Sequence, residues 1–290
     1  QTATFDVTVA EPQITKIEIT TPPTTTEYYV GQDLKTDGMV VTVTFEDEST
    51  QTTTAYTLSG YDKKTVGTQT VTVRYKGFSD TFDVTVKEAE AVSISGVTVE
   101  DKTYDGKPIE YSGTPTSDNY SGDYEYIWET ADGTVLDSAP INAGNYKLVV
   151  KVPSDNLEYV GSTEVSFTIN KANLTITAAN MSTNVNSVVP AYKFTSSGLV
   201  GDDALDSIFS CEYTKDSDVG TYVITPTDCT FTSGVKNNYN IEYVNGTLSI
   251  YGSSYNKTSK TVKIYSKYDT DIDCYIVSYA ENGTLDGIKK

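Results

Sequence analysis

Apolar and polar residues alternate along much of this chain, which is the pattern of strands that bury one face. The alternation is strictest in MVVTVTF at residues 39–45 and in TQTVTVRY at residues 68–75. Successive side chains of a strand point to opposite faces, so one face of each stretch should pack and the other should meet solvent. In the first part of the chain this pattern predicts five strands: Ile14–Ile19, Met39–Phe45, Tyr56–Ser59, Thr68–Tyr75 and Ser79–Val86.

Polar turns such as EDEST and YDKKTVG separate these stretches. Strands that recur roughly every 8–15 residues between polar turns are typical of an all-β sandwich rather than of a sheet with crossover helices. The one exception is GDDALDSIFS from Gly201, where we predict a helical turn capped by Asp202 or Asp203.

Two markers repeat along the chain at nearly the same interval. The hexapeptide TFDVTV occurs at Thr4–Val9 and again, 77 residues later, at Thr81–Val86. A glycine that precedes an alternating strand occurs at Gly67, Gly144 and Gly220, with spacings of 77 and 76 residues. The agreement of the two markers predicts tandem modules.

The repeats divide the chain into five parts. Residues 1–10 read as the closing strand of a preceding module, and residues 252–290 as a truncated further module or a terminal hairpin. Between them lie module one (11–88), module two (89–170) and module three (171–251). The joints KEAEAVS and NKAN are short and polar, so we predict tandem Ig-like β-sandwich modules in an elongated array.

Composition narrows the possible functions. The chain has 21 Lys and Arg against 40 Asp and Glu, a net charge of −19, so it should repel nucleic acid and anionic membranes. It has no histidine, which excludes Ser-His-Asp triads and imidazole metal sites. No run approaches the roughly 20 apolar residues of a membrane helix, so we expect no membrane insertion. The acidic surface favours a monomer.

The three cysteines, Cys211, Cys229 and Cys274, are too few for a disulfide-based scaffold. Cys211 and Cys229 lie 18 residues apart in module three, a spacing that allows a disulfide between them. The alternative is that both are small buried apolar residues.

We expect no cofactor for this chain, except that its acidic turns make calcium a candidate. Calcium takes six to eight oxygen ligands and suits loops rich in Asp. The candidate turns are Glu46–Ser49, Gly201–Asp206 and Tyr268–Asp273. None has the spacing of an EF-hand loop, and ordinary solvated turns explain them equally well.

The segment NYSGDYEYIWE at residues 119–129 is the candidate ligand-binding site. On a strand, Tyr124, Tyr126 and Trp128 share one face, and such rings can stack on a sugar or on a peptide side chain. The alternative is that Trp128, the sole tryptophan, is the core residue of its sandwich. No catalytic constellation is visible, and we expect no enzymatic activity.

Longer motifs resemble known bacterial repeats. Residues 14–86, with YYVGQDLKTDGMVVTVTFEDEST and VGTQTVTVRY, resemble a bacterial Ig-like repeat of Gram-positive surface proteins. Module two contains Tyr104-Asp105-Gly106 within VTVEDKTYDGKPIEYSG, which resembles the repeats named for that Tyr-Asp-Gly signature. Module three ends in NNYNIEYVNGTLSI and resembles the MBG repeat of bacterial adhesins.

These resemblances imply an extracellular protein associated with the surface of a Gram-positive bacterium. They also imply a β-grasp-like alternative for modules two and three, and they carry no shared catalytic residues. Our first hypothesis is a non-enzymatic adhesin segment whose modules form a stalk or adhesive array. The alternative is a set of accessory modules that bind glycan or protein for a secreted carbohydrate-active enzyme. The expected partners are surface glycans or proteins of a host or microbe.

Overall fold

The computed structural model describes residues 2, 12–268, 271, 273 and 275–290. Within this part of the chain the secondary structure is strands and a single 3-10 helix of three residues, Lys236–Asn238, so the all-β prediction is confirmed. None of the described helical residues belongs to a helix long and apolar enough to cross a membrane. The closing strand predicted at residues 1–10 lies outside the described residues.

The chain divides into two compact units whose limits differ from those of the modules. Unit 1 comprises residues 1–100, 110–139 and 146–167, and unit 2 comprises residues 101–109, 140–145 and 168–290. Unit 1 therefore holds module one and most of module two. Unit 2 holds two short segments of module two together with everything that follows residue 167.

Module one contains all five predicted strands and two short ones that its apolar pattern does not reveal. Its strands are β1 (Ile14–Thr21), β2 (Glu27–Tyr29), β3 (Val40–Phe45), β4 (Thr50–Thr53), β5 (Thr57–Ser59), β6 (Gly67–Tyr75) and β7 (Phe78–Lys87).

These strands form two sheets, with orders β1-β3-β4 and β2-β7-β6-β5. Val73 of β6 lies in one apolar cluster with Ile17, Val41 and Val43 of the other sheet. The two sheets therefore pack face to face, and the polar residues that alternate with these valines remain at the surface.

Module two is built around a pair of long strands followed by a closing strand. Its strands are β8 (Glu90–Ala91), β9 (Ser95–Thr98), β10 (Lys102–Thr103), β11 (Ser112–Thr116), β12 (Glu125–Thr130), β13 (Gly144–Lys151), β14 (Tyr159–Val160) and β15 (Ser162–Asn170). In unit 1, β13 lies between β12 and β15, and β9 pairs with β11. In unit 2, β10 pairs in parallel with the end of β15.

Module three forms two sheets from longer strands. They are β16 (Ala172–Ala178), β17 (Met181–Asn184), β18 (Phe194–Ser197), β19 (Ala204–Cys211), β20 (Gly220–Ser233), β21 (Tyr239–Val244) and β22 (Gly246–Asn256). The sheet orders are β18-β16-β21 and β17-β22-β20-β19. A β-grasp fold packs a helix on its sheet. The described part of module three contains only the short 3-10 helix, and its two sheets pack on each other, so this module is not a β-grasp.

The helical turn predicted from Gly201 is wrong, because most of this stretch is strand β19. Ala204–Cys211 pairs antiparallel with β20, and Leu205 is buried opposite Phe231. Burial alternates along β19, with Leu205 buried, Phe209 and Cys211 half-buried and Ile208 exposed, which is the period of two that a strand requires. The first acidic residues, Asp202 and Asp203, lie in the turn before this strand.

The repeated glycines mark equivalent positions. Gly67, Gly144 and Gly220 begin β6, β13 and β20, and each of these strands is hydrogen-bonded to the closing strand of its module. Gly67 and Gly220 have φ values of 119° and 147°, a region that favours glycine. The repeat in the sequence therefore corresponds to the same pairing in each module, that of the glycine-initiated strand with the closing strand.

Beyond module three, the described residues form two further antiparallel pairings. Strand β22 continues past Tyr251 and pairs with β23 (Thr261–Tyr265). Strands β24 (Ile276–Tyr279) and β25 (Leu285–Lys289) pair with each other. The boundary predicted at residue 251 falls inside β22, and the assignment of residues 252–290 stays a prediction.

A buried hydrogen-bonded cluster in unit 2 gives the Tyr-Asp-Gly signature a structural role. Tyr104 and Tyr239 both donate their hydroxyls to Oδ2 of Asp203, and their rings meet edge to face at 5.6 Å. The Tyr239 hydroxyl also accepts a hydrogen bond from Val200 N–H at 3.0 Å. Because both tyrosines are buried and face this carboxylate, the pKa of each hydroxyl lies above its usual value. We call this group the Asp203 cluster.

Asn238 extends the cluster with a second buried connection. It is 1% exposed, accepts a hydrogen bond from Ala143 N–H at 2.8 Å and donates one to Oδ1 of Asn142 at 3.0 Å. A buried amide without such partners would cost about 1–3 kcal/mol. The segment at residues 140–143, just before β13, is thus bound to the turn before β21 by the buried side chain of Asn238.

We predict that Tyr239→Phe lowers the free energy of unfolding by about 1–3 kcal/mol, because the substitution leaves Val200 N–H and Asp203 with one partner fewer. Urea denaturation monitored by circular dichroism measures this change. Tyr255→Phe is the control, since Tyr255 is 58% exposed and lies outside the cluster. An equal effect of the two substitutions would contradict the role of the cluster.

The raised pKa values of Tyr104 and Tyr239 also predict a pH dependence. A group whose pKa is higher in the folded state loses its stabilising contribution as the pH rises, here above about pH 10. Stability should therefore fall in this range, and it should fall less steeply in Tyr239→Phe than in the parent chain. Denaturation midpoints measured between pH 8 and pH 11 test this, and identical slopes would contradict it.

Candidate binding site on the second module

A groove with a cavity volume of about 600 Å³ lies on module two, entirely within unit 1. It follows the connection between β11 and β12, where the chain carries small polar residues and tyrosines. We call it the tyrosine groove, and its lining residues are Thr114, Pro115, Thr116, Ser117, Tyr120, Ser121, Gly122, Asp123, Tyr124 and Tyr126.

The first two rings of the groove are held in place by local hydrogen bonds. The Tyr120 hydroxyl donates to the carbonyl oxygen of Asp123 at 2.7 Å, and the Tyr124 hydroxyl donates to Ser117 Oγ at 3.1 Å. Ser117 Oγ also accepts from Tyr120 N–H at 3.2 Å and donates to the Tyr120 carbonyl at 3.0 Å. The two rings meet edge to face at 5.2 Å. Such bonds orient the rings before any ligand arrives.

Gly122 is required by the close approach of the Tyr120 ring. A Cβ atom at position 122 would lie 2.5 Å from the Tyr120 hydroxyl oxygen and 2.7 Å from Cζ. A larger residue would therefore push the ring out of its position.

The third ring, Tyr126, belongs to β12 and connects the groove to the core. It is half-buried and stacks on Tyr111 with ring centres 4.8 Å apart, whereas Tyr111 is 42% exposed. Burial, with a contribution from Tyr111, raises the pKa of the Tyr126 hydroxyl. This hydroxyl stays neutral at physiological pH and can both donate and accept hydrogen bonds.

Trp128 shares its strand face with Tyr126 but packs inward and does not line the groove. It lies opposite the fully buried Leu148 of β13, and its ring meets Phe167 edge to face at 5.7 Å. The structure therefore brings Tyr124 and Tyr126 together in the groove and separates Trp128 from them. It adds Tyr120, which the strand pattern does not reveal because this residue lies in the preceding loop.

The opposite face of β12 is closed by ion pairs. Lys147 lies 3.1 Å from both Glu129 and Glu164, and Lys151 lies 3.3 Å from Glu125. The Glu164 and Glu129 carboxylates raise the pKa of Lys147. This face offers charged side chains that already have partners, so the aromatic face is the better candidate for a ligand.

Within the described residues, the charge of the groove is carried by Asp123. Its side chain is exposed, and its carboxylate accepts no hydrogen bond from the described protein atoms. The remaining lining residues include no lysine or arginine.

A second cavity, of about 990 Å³, lies in unit 2 beside the stacked rings of Tyr251 and Tyr265. Its walls include the exposed apolar residues Val262 and Ile264. The Tyr265 hydroxyl is hydrogen-bonded to Thr221 at 2.8 Å, and Ser266 Oγ accepts a hydrogen bond from Tyr268 N–H at 3.0 Å.

The disulfide considered between Cys211 and Cys229 is not formed, because both residues are free thiols. In the register of β19 and β20, Cys229 lies opposite Ser207, four residues from Cys211. Four residues of strand span about 13 Å, well beyond the reach of a disulfide. Cys229 is buried and accepts a hydrogen bond from the Tyr243 hydroxyl at 3.5 Å. Cys274 lies outside the described residues.

In two of the acidic turns a carboxylate already accepts hydrogen bonds from protein groups. Asp47 accepts hydrogen bonds from Ser49, which lower the pKa of its carboxyl, and Asp203 is occupied by its two tyrosines. Among the residues that the structure describes, no three acidic or cysteine side chains cluster as metal ligands. The turn at Tyr268–Asp273 lies partly outside them, and calcium binding stays a prediction.

The position of Trp128 predicts its spectroscopic behaviour. We expect blue-shifted emission and weaker acrylamide quenching than for free tryptophan, because Phe167 and Leu148 shield the indole. Trp128→Ala should lower the free energy of unfolding by about 2–4 kcal/mol, since a partly buried ring is lost from the core. Strong quenching combined with unchanged stability would contradict this placement.

Two family models match the chain. The model of the bacterial Ig-like domain (group 3) matches residues 21–86, and that of the MBG domain (YGX type) matches residues 174–249. The resemblances of modules one and three are thereby confirmed. The likeness of module two to Tyr-Asp-Gly repeats stays a prediction.

Curated relatives are carbohydrate-active enzymes. Pectate lyase L of Thermoclostridium stercorarium is 30% identical over 152 residues, which are 50% of this chain and 12% of that protein. Exo-beta-1,6-galactobiohydrolase of Bifidobacterium longum subsp. longum is 33% identical over 100 residues, which are 32% of this chain and 6% of that protein. The chain thus corresponds to a small part of the length of each relative.

Solved structures similar to this chain include an I-band fragment of titin. It is 10% identical, and the match covers 84% of this chain and 100% of the fragment with a TM-score of 0.27. The two family models that match residues 21–86 and 174–249 describe domain types that are accessory rather than catalytic.

Proposed function

We propose that this chain is a non-catalytic region of an exported bacterial protein and that its second module binds glycan in the tyrosine groove. The matched domains are of accessory type, and the two relatives have the names of enzymes that act on carbohydrates. The observation that carries the proposal is the set of three half-buried tyrosines, Tyr120, Tyr124 and Tyr126, that line one groove in fixed orientations.

The chemistry of the groove matches that of a sugar. A pyranose has an apolar C–H face and a rim of hydroxyls, and a tyrosine offers a flat apolar ring with a polar edge. Ser117 and Asp123 add polar groups between the rings. A groove that combines aromatic walls with a few placed polar groups is typical of a small-ligand site.

The Tyr120 ring is already held by a hydrogen bond to Asp123, and the Tyr124 ring by one to Ser117, so neither side chain has to become ordered when a ligand binds. Each immobilised side chain would otherwise cost about 0.5–1.5 kcal/mol on binding. An open groove with fixed rings therefore supports moderate affinity for one or two sugar units of a longer chain.

An adhesive or spacer role on the surface of a Gram-positive bacterium is the second candidate function. It is favoured by the ordered joints inside each unit. In unit 1, Glu90–Ala91 pair in parallel with Tyr159–Val160 next to the linker after module one. In unit 2, the Asp203 cluster and Asn238 bind module-two residues to module three. Such joints suit modules that carry load or hold another domain.

We predict that Tyr120→Ala weakens glycan binding at least about tenfold, equivalent to ~1.4 kcal/mol, because it removes one wall of the groove. Gly122→Ala should weaken binding comparably, since the added methyl group displaces the Tyr120 ring. Isothermal titration calorimetry against soluble galactan and other plant or microbial glycans measures the effect.

Tyr255→Ala is the matched control, because this exposed tyrosine lies outside both cavities. Thermal melting verifies that each variant is folded. If the parent chain binds none of the glycans, or if both groove variants bind as tightly as the control, the glycan-binding proposal fails and the spacer role remains.

A further inference from the structure

We infer that the tyrosine groove is selective for neutral glycans and rejects polyuronates such as pectate. This inference rests on the proposed function and adds the chemical class of the ligand. The inference follows from the charges around the groove and not from the name of the pectate lyase relative.

The first observation is the charge of the groove itself. Among its lining residues the only charged side chain is Asp123, which is exposed and has no hydrogen-bond donor among the described protein atoms. A carboxylate is purely an acceptor, so it pairs with ligand hydroxyls and repels a ligand carboxylate. Two unit charges about 4 Å apart in a partly wet groove repel strongly enough to change affinity by tenfold or more.

The second observation is the absence of a compensating cation near the aromatic face. The lysines of the neighbouring strand, Lys147 and Lys151, lie on the opposite face of β12 and are paired with Glu129, Glu164 and Glu125. The carboxylate of a uronate would need an arginine or a lysine as its partner. The described lining of the groove contains neither residue.

The third observation is the negative field beyond the groove. The ring of Tyr159 lies 5.5 Å from that of Tyr120, and Glu158 and Glu90 raise the pKa of the Tyr159 hydroxyl. Glu90 also accepts a hydrogen bond from the Asn119 side chain at 2.6 Å, next to the groove. The whole chain carries a net charge of −19. Acidic ligands are thus disfavoured by near and distant charges alike.

Titration calorimetry with neutral galacto-oligosaccharides and with oligogalacturonates of the same length tests this selectivity. The buffer contains EDTA, so that divalent cations cannot bridge carboxylates. We expect the neutral ligand to bind at least about tenfold more tightly at low salt, and we expect the difference to shrink at 0.5 M NaCl because salt screens the repulsion.

Asp123→Asn identifies the source of the selectivity, because it removes the charge and keeps the backbone carbonyl that holds Tyr120. We expect the variant to bind the oligogalacturonate several-fold more tightly than the parent chain does. Asp137→Asn, an exposed carboxylate of module two outside the groove, is the charge-matched control and should leave the ratio of the two affinities unchanged.

The outcomes separate this inference from the proposed function. Binding of the oligogalacturonate as tightly as the neutral ligand overturns the inference and leaves glycan binding in place. An equal change of selectivity in both variants also overturns it, because the net charge rather than the groove would then be responsible. If neither ligand nor any other glycan binds, the proposed function itself fails.

Discussion

The pairing of a glycine-initiated strand with the closing strand of its module carries the core of each module. In module one this is β6 with β7, which bury Val71, Val73, Val84 and Val86. The equivalent pair in module three, β20 and β22, buries Ile224, Leu248 and Ile250. Because every second residue of these strands is committed to the interior, the loops between the other strands are free to differ. The Asp203 cluster and the tyrosine groove both use that freedom.

The tyrosine groove follows the connection between β11 and β12, a loop that returns on itself through Ser117, Tyr120 and Asp123. The rings beside it form a continuous chain from Tyr126 through the exposed Tyr111 and then Trp128 to the buried Phe167. A rigid floor of this kind allows a surface loop to present oriented rings without secondary structure of its own.

Sequence patterns predicted what depends on local periodicity. The five alternating stretches of module one became strands within one or two residues of their predicted bounds, and the spaced glycines marked equivalent strands.

The helical turn at Gly201 was predicted wrongly because acidic residues that resemble a helix cap instead make tertiary contacts. Asp203 accepts hydrogen bonds from Tyr104, 99 residues away, and from Tyr239. Tyr120 lies in the candidate segment 119–129, but the strand pattern could not group it with Tyr124 and Tyr126, since its position depends on Ser117, Asp123 and the small size of Gly122. Spacing alone also left the Cys211–Cys229 pairing open, which only the register of β19 against β20 decides.

The most direct test of the account is nuclear magnetic resonance of the chain with ¹³C-labelled tyrosine rings, titrated with a neutral galacto-oligosaccharide. The account predicts that ring signals of Tyr120, Tyr124 and Tyr126 shift together with one affinity, while those of Tyr251 and Tyr265 beside the other cavity stay in place. Shifts confined to Tyr251 and Tyr265, or no shifts at any tyrosine, would contradict the assignment of the binding site to module two.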